Sequence, residues 1–127
     1  MNISAAAQAA GLPTKTVRYY DEIGLVPPQG RTASGYRTYG DGELRKLIFV
    51  RRAREFGFSV DECRGLLDLY QDQNRTSADV KHLAQKRLAE IAAKQKELQS
   101  LHDDLSHLVQ ACRGDNRPDC PIIDFLG

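Results

Sequence analysis

A chain of 127 residues, 41% hydrophobic and 28% charged, suits one compact unit or a small head carrying an oligomerising element. It shows no apolar run long enough to span a bilayer and no signal peptide, which excludes a membrane partner and points to the cytoplasm. The net charge of +1 is unevenly divided: residues 1–57 hold nine Lys/Arg and five Asp/Glu (+4), residues 58–127 nine and twelve (−3). A basic first half is what a DNA-binding head needs.

Ser4 is placed to cap a short Ala-rich helix over Ala5 to Ala10, which Gly11 ends and Leu12-Pro13 turns. Thr14 is placed to cap a second helix running to about Glu22, stopped by Gly24. Two short helices joined by a tight Gly-containing turn predict a helix-turn-helix. Val17 faces inward, while Lys15, Arg18, Tyr19 and Tyr20 offer polar tips to DNA. The plainer alternative is a helical hairpin with a solvated basic face.

From Gly24 to Tyr39 the chain is rich in turn residues and reads as two extended pieces joined by a loop, a wing. Arg31, Tyr36, Arg37 and Tyr39 decorate it. The planar guanidinium fork matches two phosphate oxygens, and tyrosine hydroxyls also contact phosphate. Asp41 is placed to cap a third helix, from about Gly42 to Glu55, with Leu44, Leu47, Ile48 and Val50 inward and Arg45, Lys46, Arg51, Arg52 and Arg54 outside or at its edges. Gly57 ends it. Ser59 and Glu62 have capping-box spacing for a fourth helix to about Leu69, with Cys63, Leu66 and Leu67 on the packing side.

After a polar break at residues 71–76, Thr76 or Ser77 starts a long helix over residues 78–111. It contains no Gly or Pro. Ala84, Leu88, Ile91, Gln95, Leu98, Leu101, Leu105 and Leu108 form a heptad seam with one stammer at Leu98. A stripe of this length wants a partner helix, most simply from a second copy of the chain, with Gln95 helping to fix register.

No P-loop, dinucleotide fingerprint or nucleophile elbow is present, so the chain is not expected to be an enzyme. His82, His102 and His107 read as surface residues. Cys112 and Cys120 bracket the turn-forming run CRGDNRPDC. Two thiolates are too few for a closed zinc site but suit a soft monovalent ion. A disulfide, or two unrelated thiols, are the alternatives.

These motifs give the chain a family likeness. VRYYDEIGLVPPQGRTASGYRTY (Val17 to Tyr39), FGFSVDECRGLL (Phe56 to Leu67) and ACRGDNRPDCPII (Ala111 to Ile123) resemble the MerR family of transcriptional regulators, and within it the CueR-type, copper(I)-sensing branch. The resemblance implies a mainly α fold. It comprises a winged helix-turn-helix head (residues 1–70), a linker (71–77), a dimerisation helix (78–111) paired as an antiparallel coiled coil, and a metal-binding loop and tail (112–127). It implies a homodimer that binds promoter DNA with or without Cu(I), for which Ag(I) or Au(I) substitute. The metal-bound form distorts the DNA so that RNA polymerase can use a promoter of copper-export or detoxification genes.

By the same resemblance Arg18, Tyr20, Arg31, Tyr36, Arg37, Tyr39 and Arg54 contact DNA, and Cys112 and Cys120 ligate the metal. Relatives that sense divalent ions carry cysteine at the start of the dimerisation helix, where this chain has Ser77. The partner's helix start, with Lys81 one turn on, is expected to stabilise a monovalent site. Competing readings are a soft-metal storage protein, or a regulator answering to a divalent metal or to thiol oxidation.

Overall fold

In the computed structural model, which describes residues 1–71, 76–112 and 114, five helices and one two-stranded hairpin follow in the order α1 (Ile3–Ala10), α2 (Thr14–Glu22), β1 (Gly30–Arg31), β2 (Arg37–Thr38), α3 (Asp41–Glu55), α4 (Val60–Gln71) and α5 (Ser77–Ala111). They fall into two compact units that divide between residues 75 and 76. The first is a winged helix-turn-helix; the second is built on α5. The tail from Pro121, the linker residues 72–75 and Cys120 lie outside the described residues.

α1 packs on both α2 and α3 through Ala6, Ala7 and Ala10, all buried. Their small side chains let three helices approach closely. Gly11, in the left-handed conformation at φ +73°, makes the turn into α2. α3 then packs against α4. Leu25, Val26, Leu47, Val50, Cys63 and Leu67 fill the centre. Within α3 the fully buried positions are Leu47, Val50 and Ala53; Leu44 and Ile48, expected to be inward, are half-buried. Cys63 is fully enclosed, and burial pushes its thiol pKa up.

The wing is a short antiparallel ladder with Gly30 opposite Thr38 and Arg31 opposite Arg37. Its tip closes through Thr32 N–H donating to the Tyr36 carbonyl at 2.8 Å and Gly35 N–H to the Thr32 carbonyl at 2.9 Å, with Gly35 at φ +87°. Tyr39, just beyond β2, exchanges two 2.7 Å hydrogen bonds with Met1.

Three helix starts differ from expectation. Asn2, not Ser4, caps α1, its side-chain oxygen accepting from Ala5 N–H at 2.8 Å. Pro13 occupies the cap of α2 and Gly40 that of α3, neither with a side-chain bond, so Thr14 and Asp41 are first helical residues instead. In each case the backbone leaves the extended conformation one or two residues away from the polar residue that the sequence offered. The other two caps follow expectation. Ser59 and Glu62 exchange bonds of 3.0 and 2.9 Å, and Thr76 Oγ1 accepts from Asp79 N–H at 3.2 Å.

α5 runs unbroken for 35 residues with none buried. Leu88, Leu98, Leu101 and Leu105 of the seam are exposed, Leu98 by 66%, and Val109 beside them is exposed too. Among the described residues no helix is long and apolar enough to cross a membrane.

Candidate nucleic-acid interface and metal centre

α2 buries Val17 and Tyr20 and turns Lys15, Arg18, Tyr19 and Glu22 outward. With Thr16, these four line a shallow open depression of about 480 Å³. Tyr19 leans on Tyr20, ring centroids 6.1 Å apart and tilted by 47°. Helix sterics explain the division: residues three apart, 17 and 20, share the inner face, which leaves 15, 18, 19 and 22 to solvent.

Beside α2 the wing exposes Tyr36 at its tip and Arg31 along β1. Arg31 Nη1 donates to the Gly35 carbonyl at 2.8 Å, and its Nη2 lies 3.6 Å from Asp21 Oδ2. Arg37 is placed differently. Its Nε donates to Asp21 Oδ2 at 2.6 Å, and the two side chains are only 20% and 17% exposed. That hydrogen bond raises the guanidinium pKa, against the lowering effect of burial.

Two of the tyrosines expected on the DNA side are core residues. Tyr39 is 1% exposed, its hydroxyl buried without a hydrogen-bond partner in the described structure, and burial pushes its pKa up. Tyr20 is 5% exposed. Both rings are withdrawn into the head's core, where apolar area outweighs a polar tip. Arg54 is exposed at the end of α3, with Nη1 donating to the Phe58 carbonyl at 3.0 Å across the Gly57 turn.

Two residues of this surface were missed by sequence reasoning. Asp21 ties α2 to both wing arginines. Arg64 of α4 donates to the Ile23 and Gly24 carbonyls at 2.9 and 3.3 Å, closing the end of α2. Their chain separations of 10, 16 and about 40 residues gave no local pattern to read; the Asp21-Glu22 pair, acidic in a basic segment, was the one signal available.

The expected metal centre is described in part. Cys112 is the half-buried C-cap of α5, with its N–H donating to the Leu108 carbonyl at 3.0 Å. Cys120 lies outside the described residues. Ser77 and Lys81 are exposed in the first turns of the same helix. At roughly 1.5 Å per residue, Ser77 and Cys112 of one chain are about 50 Å apart. Among the described residues no three His, Cys, Asp or Glu side chains cluster as a metal site. His82, His102 and His107 are exposed; His102 approaches Asp103 at 3.2 Å, and that contact holds the carboxyl pKa down.

Two family models match, "MerR HTH family regulatory protein" over residues 1–70 and "MerR, DNA binding" over residues 44–108. The chain belongs to the MerR family of DNA-binding transcriptional regulators. It is a regulator, not an enzyme. The HTH-type transcriptional regulator HmrR of Rhizobium leguminosarum bv. viciae is 52% identical over 126 residues, covering 99% of this chain and 97% of that one. CueR of Salmonella typhimurium is 47% identical, covering 99% and 91%. Among solved structures, a transcription regulator of Ralstonia metallidurans in complex with lead(II) is 31% identical, covers 100% and 99%, and superposes with a TM-score of 0.57.

Proposed function

We propose that this MerR-family chain is a metal-responsive regulator of transcription, working in the cytoplasm as a homodimer on promoter DNA with RNA polymerase. Its inducer is Cu(I), with Ag(I) or Au(I) as surrogates. One observation carries the reading: Ser77 opens α5 and Cys112 closes it. A single helix holds these residues about 50 Å apart, so one chain cannot bring both to one ion. An antiparallel partner helix does, and covers the exposed leucines at the same time.

The likeness to CueR supports the copper branch, and the lead(II)-bound relative supports metal response in general. Cys112 and Cys120 would hold the ion, and a bound monovalent metal would supply a compact cationic centre between two thiolates. The donor chemistry of the described end fits such a cation. A helix C-terminus carries partial negative charge, so a thiolate there is better balanced by a metal ion than left bare. Two thiolates and a +1 ion leave a net −1. The N–H groups at Ser77 and the Lys81 ammonium, from the partner helix, offset it. Serine in place of a third thiolate gives a divalent ion too few ligands.

On DNA, Lys15, Arg18 and Tyr19 face the groove, and Arg31, Tyr36 and Arg54 meet the backbone. Tyr20 and Tyr39 support these groups from the core.

The deciding experiment is transcription in vitro from the target promoter with Cu(I), Ag(I), Zn(II) and an oxidant supplied separately. Cu(I) and Ag(I) should activate. Cys112→Ser should lose that response while keeping promoter affinity within about twofold, since metal selects between conformations of a complex already formed. Activation of the wild-type protein by Zn(II), with three or more protein ligands seen by absorption spectroscopy, would overturn the monovalent assignment.

A further inference from the structure

Asp21 is a carboxylate in the middle of a surface that has to approach phosphates. Simple electrostatics makes it a liability there, because it repels the backbone that Arg18 and Arg31 attract. Its contacts suggest what it does instead. One oxygen, Oδ2, takes the Arg37 Nε hydrogen at 2.6 Å from β2 and lies 3.6 Å from Arg31 Nη2 of β1. β2 is therefore hydrogen-bonded to the penultimate residue of α2, and β1 reaches the same oxygen through a longer, half-exposed ion pair. A charge-assisted bond of this length, between side chains withdrawn from most of the solvent, is a fixed joint. The next residues are held from the other side, where Arg64 of α4 grips the Ile23 and Gly24 carbonyls.

Helix and wing read DNA together only if their spacing is set before they arrive. A two-residue ladder is too short to set it alone. We propose that Asp21 is a positioning residue for DNA recognition. It locks the wing to α2 through Arg37, which serves as an internal anchor and not as a phosphate ligand, and its charge weakens binding to unrelated DNA. The inference rests on the reading that α2 and the wing meet DNA.

The test uses the full-length protein, a duplex selected from random DNA by the wild type, and a scrambled duplex of equal length, titrated by fluorescence anisotropy at several salt concentrations. Arg37→Ala should lower the preference for the selected duplex about tenfold and leave the salt slope on it nearly unchanged, whereas loss of a phosphate contact lowers that slope by about one unit. Asp21→Asn should lower the preference by a similar factor and steepen the slope on scrambled DNA by about one unit, as Arg37 is released to phosphate. The double variant should be no worse than either single one, as for two ends of one contact. Should Asp21→Asn lower the melting temperature, Arg37→Lys decides. It keeps a cation for phosphate but not the Nε geometry, so preference falls if Arg37 is an anchor. A drop of about one unit in slope for Arg37→Ala, with wild-type preference in Asp21→Asn or Arg37→Lys, would overturn the proposal. A wild type that selects no duplex at all would instead overturn the reading beneath it.

Discussion

The head and α5 hold similar kinds of residues and solve opposite problems. Residues 1–71 enclose a core in which Leu47, Val50, Cys63 and Leu67 are withdrawn from solvent. α5 has leucines at regular spacing and buries none of them. The difference lies in geometry. Short helices joined by turns at Gly11, Gly24 and Gly57 fold back on one another. A 35-residue rod with no Gly or Pro has nothing of its own to fold against. One unit is complete as a single chain, and the other is half of an interface.

Four experiments bear on that contrast. The largest effect is expected from Leu98→Asp combined with Leu105→Asp. Full burial of a leucine contributes roughly 1.5–3 kcal/mol, and a charge at a dry seam adds a desolvation cost, so the pair should give monomers that lose promoter binding. Sedimentation should show the single chain with the head still folded. A dimer surviving both changes would refute the contrast between the two units. Next is Leu47→Ala, which opens a cavity in the enclosed unit. It should destabilise the head by about 3 kcal/mol, read as a shift of the denaturant midpoint, whereas Leu88→Ala should leave the head's own transition in place.

A smaller effect is expected at the helix starts. Thr76→Ala removes the bond to Asp79 N–H and should weaken α5 by about 1 kcal/mol. Thr14→Ala removes no cap bond, and its melting curve should overlie the wild type. The smallest effect is a pH dependence. Burial raises the folded-state pKa of Cys63 above its ordinary 9.0. The neutral thiol's contribution is therefore complete below that ordinary value and is lost as pH rises through the raised one. Cys63→Ala should flatten the alkaline limb of the head's stability curve by the share of one proton, and Tyr39, also raised by burial, acts in the same direction.

Most of the architecture was legible because it rests on local rules. Glycine placement, the Ser59–Glu62 box and the Gly- and Pro-free run of α5 each act within one or two turns of chain, and the structure follows them. Where two neighbouring residues both qualified, local rules were insufficient. Ser4 and Asn2 are both good caps by residue type, and in the structure Asn2 takes the cap. The surface chemistry was legible in kind but not in assignment. Lys15, Arg18, Tyr19, Arg31 and Tyr36 are exposed as their types suggested.

By itself, then, the sequence determined the order of elements, the basic head, the long helix with Ser77 and Cys112 at its two ends, and the family. Only tertiary structure decided which polar side chains face outward. Tyr20 and Tyr39 go into the core and Arg37 turns to Asp21, because each decision depends on partners 16 or more residues away or on the fit of a ring between elements. Helix periodicity is written in neighbouring residues. Burial of an amphipathic side chain is a property of everything packed around it.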